Sequence, residues 1–213
     1  MATTLQEEFW QSEFGKSYTE RNKYNTPQMV DVFYKKLYGV SFSEMVKDFF
    51  ENIKINNILE VGCNSGNQLI SLQSLGYNNL YGIDIMPYAV EKAKEYTKNI
   101  NIIQGSAFDI PFKDAYFDLA FTDGVLIHIN PKDIHTAMKE IYRVSKKYIV
   151  GIEYFEKDYV GIEYRGEKDK LWKGNFSKMY LDLFPNLKLV KEKFYPNLEN
   201  PKNIDTMFLL EKV

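Results

Sequence analysis

The chain has 213 residues, 45% hydrophobic and 15% aromatic, enough for one folded domain of ordinary size. A formal net charge of −2 gives no reason to expect bulk nucleic-acid binding, which usually shows a basic domain or stripe. No apolar run reaches the roughly 18 residues of a membrane-spanning helix.

The lone cysteine, Cys63, excludes an internal disulfide. With only two histidines beside it, the usual structural zinc set cannot be assembled. The N-terminal stretch MATTLQEEFW is acidic and lacks the basic-then-apolar order of a secretory signal. The expectation is a soluble cytoplasmic protein with no metal, no membrane partner and no nucleic-acid partner.

The first 56 residues read as helical. Thr26-Pro27 offers an N-cap with proline at the first helical position. Ser41 and Glu44 form a capping box, and Met45, Val46, Phe49 and Phe50 supply one apolar face. From residue 57 strands and helices alternate. NNILEV is a strand ending at Gly62, and Gly66 to Leu75 is a helix stopped by Gly76. NLYGIDI is a strand, followed by a helix from Pro87 to about Lys98. NINIIQ and YFDLAFT are strands; a helix from Asn130-Pro131 to about Ser145 follows, then the strand KKYIVGIEYF. This alternation predicts an α/β fold, a parallel sheet with helices on both faces.

The end of the chain departs from that rhythm. LKLVKEKFY and DTMFLLEKV are separated only by PNLENPKNI, too short for a helical crossover, so these strands are predicted antiparallel. Residues 156–185 form an insertion after the fifth strand. No linker divides the chain, so one domain is expected, with residues 1–56 as a helical cap and 57–213 as the core.

Ligands of open α/β sheets bind beyond the C-terminal ends of the strands. The turn GCNSG, residues 62–66, lies there. Gly62 and Gly66 allow a tight turn and close backbone approach. The turn lacks the Gly-Lys-Ser/Thr end of a phosphate loop, and its spacing fails the G-x-G-x-x-G fingerprint. Glu60 precedes the turn and is expected to face the crevice mouth, where a carboxylate repels pyrophosphate and attracts a cation. Asp84 closes the second strand, some 18 residues past Gly66, where an acid accepts ribose hydroxyls. A ligand with a ribose, no phosphate and positive charge fits best. An ordinary strand-to-helix turn, and a helix-capping role for Asp84, stay open beside this reading.

The pattern Glu60-x-Gly62-x-Asn64-x-Gly66 with Asp84 resembles the first motifs of the class I S-adenosylmethionine-dependent methyltransferases. Asn64 stands where glycine is more usual, and asparagine tolerates a left-handed backbone. The resemblance covers about residues 57–155. It implies a Rossmann-like fold with a mostly parallel seven-stranded sheet and an antiparallel C-terminal strand. It places the turn under the methionine moiety, Asp84 at the ribose, and Ile85 and Met86 beside the adenine. GSAFDIPFKDAYFDLAF resembles the adenine-contact segment, with Ser106 where aspartate is common and Ala107 and Phe108 as further contacts. EEFWQSEFGKSYTERN, GVLIHINP and the LWKGNF…YLDLFP region resemble methylases associated with pseudaminic acid and related sugar biosynthesis. That likeness implies an N-terminal segment folded over the cofactor, with Tyr18, Arg21 and Asn22 as contacts. Arg21 also fits a plain solvated position.

Methyl transfer requires orientation of two partners and exclusion of water rather than a nucleophilic side chain. His128, after the fourth strand, is the candidate base, with Asp123 second; a structural histidine is the competing reading. Tyr164, Arg165, Trp172 and Lys173 would form a partly basic aromatic wall suited to an anionic or nucleotide-linked sugar, or would only close the core. A cofactor-binding protein without catalysis and a nucleotide-dependent oxidoreductase remain open at this point.

Overall fold

The computed structural model describes residues 3–213. Met1 and Ala2, the first two residues of the N-terminal segment read above, lie outside the described residues. Seven strands make one sheet in the order β3-β2-β1-β4-β5-β9-β8 and two more make a separate hairpin. The strands are β1 (Asn57–Val61), β2 (Asn79–Asp84), β3 (Asn101–Gln104), β4 (Phe117–Asp123), β5 (Ser145–Tyr154), β6 (Val160–Tyr164), β7 (Glu167–Lys173), β8 (Leu187–Pro196) and β9 (Ile204–Lys212). The chain resolves into two compact units that divide between Ala107 and Phe108.

The first unit opens with helices α1 (Leu5–Trp10), α2 (Glu13–Arg21), α3 (Pro27–Tyr38) and α4 (Phe42–Phe50). Their starts follow local chemistry. Thr26 Oγ1 accepts from Met29 N, with Pro27 in the first turn. Ser41 and Glu44 exchange both bonds of a capping box, and Met45, Val46, Phe49 and Phe50 are all buried. β1 pairs parallel with β2, and β2 parallel with β3. Helices α5 (Asn67–Ser74) and α6 (Pro87–Tyr96) follow β1 and β2. α6 ends at Tyr96, two residues before the predicted end at about Lys98, because Thr97 is extended.

In the second unit β4 pairs parallel with β5, β5 antiparallel with β9, and β9 antiparallel with β8, as the short final connector requires. Helix α7 spans Ile134–Val144. It starts later than Asn130-Pro131 because Asn130 closes a turn first: its Oδ1 accepts from Lys132 N at 2.9 Å and its carbonyl from Asp133 N at 2.9 Å. The 156–185 insertion is not merely a loop. It forms the β6–β7 hairpin and helix α8 (Phe176–Leu183), capped by Asn175 Oδ1 on Lys178 N. Among the described residues no helix is long and apolar enough to cross a membrane.

Candidate functional site

The turn after β1 runs through three left-handed residues: Gly62 (φ 76°), Asn64 (φ 44°) and Gly66 (φ 81°). Asn64 adopts the left-handed backbone that the sequence reading allowed it. At Gly66 a side chain would also collide, since a Cβ would lie 2.9 Å from Thr97 Cγ2. The turn is tied to β2 by the N–H groups of Gly62 and Cys63, both on the Ile83 carbonyl at 2.8 and 2.9 Å.

Asp84 completes the tie. It is 8% exposed, at the C-terminal tip of β2. Oδ2 accepts from Asn64 N and Oδ1 from Met86 N, both at 2.8 Å. Burial pushes its pKa up, and those two N–H donors pull it down. Each carboxylate oxygen has two acceptor sites, so one on each stays open to a pair of hydroxyls. The helix-capping reading and the ligand reading of Asp84 are therefore compatible: one bond per oxygen builds the turn and the rest can serve a diol.

Glu60 does not present itself at a crevice mouth. It is 1% exposed, enclosed within β1; burial pushes the Cys63 thiol pKa up, and the charges of Glu60 and Asp84 push it the same way. Ile85 is half-buried and Met86 buried beside Asp84. Ser106 and Ala107 are half-buried, and Phe108, in the second unit, is buried.

The N-terminal helices touch this region. Ser106 Oγ donates to Glu7 Oε1 at 2.6 Å, while Glu7 Oε2 accepts from Thr4 N in the capping box of α1. Sequence reasoning missed Glu7, although Thr4-x-x-Glu7 is a legible capping box. Asn22 contributes its carbonyl, which accepts from Asn67 Nδ2 at 2.8 Å at the start of α5; its own amide donates to Tyr18 O. Tyr18 packs edge-on against Trp10. Arg21 is exposed, with its guanidinium 6.0 Å from the Phe14 ring centre. Tyr88 of α6 donates to Glu20 of α2.

In the second unit, Asp123 ends β4 and is half-buried. His128 lies on the short 3-10 turn Leu126–His128 that follows. Its Nδ1 lies 2.8 Å from the Lys170 carbonyl, and its ring centre 5.2 Å from that of Tyr164. A carbonyl only accepts, so Nδ1 carries the proton and Nε2 the lone pair. Burial lowers the imidazole pKa from 6.5 to about 4, against the opposing effect of the Lys170 carbonyl. His135 is exposed on α7.

The proposed aromatic wall divides. Tyr164 meets His128, and Arg165 sits left-handed (φ 53°) at the exposed hairpin turn, over the Tyr164 ring. Trp172 and Lys173 are 4% and 8% exposed. The Lys173 ammonium donates to Asn203 Oδ1 at 2.6 Å and to Lys202 O. Both are buried because β7 is covered on both faces from Leu171 onward, so the wall keeps one aromatic, Tyr164, and one cation, Arg165, and loses the other of each.

Glu153 was missed. It is 1% exposed near the end of β5 and accepts from Val125 N, Leu126 N and Ile127 N. The signal was an acid inside the apolar run YIVGIEYF.

Residues 59–148 match a family described as a methyltransferase domain. Over 101 residues the chain is 30% identical to an O-methyltransferase of Aspergillus nomiae, covering 45% of this chain and 44% of that one. An S-adenosylmethionine-dependent methyltransferase of Methanosarcina mazei superposes with a TM-score of 0.63 at 20% identity, covering 78% of this chain and 97% of that one. The Burkholderia thailandensis 1,6-didemethyltoxoflavin-N1-methyltransferase, solved with S-adenosylhomocysteine, superposes with a TM-score of 0.70 at 14% identity, covering 100% and 92%. The structural likenesses concern the fold. The superpositions show a Rossmann-like fold, and residues 59–148 within it are similar to a methyltransferase domain. The chain spans about half the length of the curated relatives it matches first.

Proposed function

We propose that this chain transfers a methyl group from S-adenosylmethionine to a small-molecule acceptor, a sugar or nucleotide-linked sugar. The observation that carries the first part is Asp84, buried, braced by two backbone N–H groups, and still able to accept from a diol. The likeness of residues 7–22 and 124–131 to sugar-pathway methylases supports the acceptor class.

When bound, S-adenosylmethionine supplies an electrophilic methyl group on a sulfonium. The residues of the chain hold and orient. Asp84 accepts ribose hydroxyls, and the 62–66 turn gives close backbone approach without side chains. Glu7, Ser106, Tyr18, Arg21 and Asn22 form the N-terminal cover of the cofactor. His128 takes the proton of an acceptor hydroxyl on Nε2. So low an imidazole pKa makes a weak base, and its contribution belongs at the lower end of the general-base range, about 10²-fold. Asp123, Tyr164 and Arg165 are the acceptor contacts.

Calorimetry tests the cofactor half. Micromolar binding of S-adenosylmethionine and S-adenosylhomocysteine is expected, weakened at least about tenfold in Asp84→Ala, since a bond to a charged acceptor contributes about 1.5–3 kcal/mol. Unchanged binding in that variant overturns the site. A screen of small acceptors with labelled cofactor tests the rest; labelling of no sugar would remove the acceptor class.

A further inference from the structure

The loop that leaves β4 is fastened to β5. Gly124 N donates to the Ile152 carbonyl at 2.8 Å. The next three N–H groups all turn to one side chain. Glu153 Oε1 accepts from Val125 N and Leu126 N at 3.2 and 3.1 Å, and Oε2 from Ile127 N at 3.3 Å. The following residue is His128. A buried acid is costly, and an apolar side chain would suit this strand better. Without Glu153, three donors at the start of the 3-10 turn would lose their acceptor.

We propose that Glu153 is the positioning residue for His128: by fixing the backbone of residues 125–127 it sets the imidazole on the Lys170 carbonyl and so selects the tautomer with its lone pair on Nε2. The geometry of Glu153, the turn and Lys170 carries this inference. Only its turnover arm rests on the methyl-transfer reading.

Burial pushes the Glu153 carboxyl from 4.5 to about 8, and the neighbouring Asp123 pushes the same way. The Thr122 hydroxyl and the turn N–H groups pull it down. The Glu153 charge in turn adds to the burial that pushes the Tyr154, Tyr159 and Tyr180 phenols up. The three amides should therefore report a single ionisation.

The variant is Glu153→Gln, equal in size. Its amide oxygen can still accept from Val125 and Leu126, but its NH₂ would oppose the Ile127 N–H, donor to donor. Nitrogen NMR of the full chain should show Val125, Leu126 and Ile127 amides titrating together near pH 8 in the wild type, and losing that titration in the variant. The His128 ring should lose its single Nδ1-protonated signature and titrate at a higher pH. Above pH 8, where the wild-type carboxyl is ionised and all three N–H groups face acceptors, turnover in the variant should be lower on the order of 10²-fold, the scale of a misplaced catalytic group, with S-adenosylhomocysteine affinity unchanged. A folded variant with the wild-type His128 tautomer and titration would overturn the proposal. So would wild-type amides that share no titration, a result that needs no variant at all. Absence of cofactor binding or turnover in the wild type would sink the methyl-transfer reading and leave the NMR outcome to judge Glu153 by itself.

Discussion

Asp84 and His128 show how one side chain can hold structure and chemistry together. Asp84 spends one acceptor site of each oxygen on the backbone and keeps the others. His128 sets Nδ1 on the Lys170 carbonyl, which puts the proton on that nitrogen and the lone pair on Nε2. The cost of the latter is readable in pH. The folded-state pKa of about 4 lies below the free value of 6.5, so the unfolded chain binds the proton more readily. Stability is thus full above pH 6.5 and declines as pH falls toward 4, by at most about 3 kcal/mol. Urea unfolding across pH 4–7 should show this slope, and His128→Ala should flatten it; an unchanged slope in the variant would mean that the imidazole is not buried as described. Asn64 was legible because it stands where the resembling motif usually has glycine, and asparagine is one of the few other residues that tolerate positive φ. Glu60 was not, because a carboxylate in a strand can point to either face and only packing selects one.

At the scale of elements, caps were written in the sequence and close packing was not. Ser41-x-x-Glu44 and Thr26-Pro27 announced helix starts through bonds within four residues. Gly82 announced nothing. It lies in β2 under α5, where a Cβ would stand 2.7 Å from Cys63 Sγ, 2.8 Å from Leu69 Cδ1 and 2.9 Å from Ile102 Cδ1. All three neighbours are themselves buried, so none can swing into solvent. Gly82→Ala should therefore destabilise by about 1–3 kcal/mol, the usual range for overpacking, and lower the thermal midpoint. No loss of stability would show that the β1–α5–β2 layer is looser than its contacts indicate. The delayed start of α7 belongs to this scale too: Asn130 had two local options, a cap or a turn, and the sequence did not choose between them.

At the scale of the whole molecule, the sheet ends on an edge. Among the described residues β8 pairs only with β9, and it exposes Leu189, Val190 and Phe194 at 44%, 47% and 49%. Lys188, Lys191 and Lys193 alternate among them, and the register shifts between Leu189 and Lys191. Lysines and bulges are the common defences of an open edge against another strand. Replacing Lys191 and Lys193 together by valine should raise light scattering at micromolar concentration while the far-ultraviolet spectrum stays that of the native chain. Monomeric scattering in the double variant would relieve the lysines of that role.

By itself the sequence determined the α/β alternation, the antiparallel final pair, the left-handed turn and Asp84 at the tip of its strand. These depend on periodicity, connector length and residues with special backbone freedom, all local properties. Only the tertiary structure decided that Glu60, Trp172 and Lys173 turn inward, that Glu7 reaches Ser106, and that Glu153 holds the turn bearing His128. Each of those is a pairing across many positions of the chain. Spacing along a sequence carries no information about which distant donor a buried acceptor will meet.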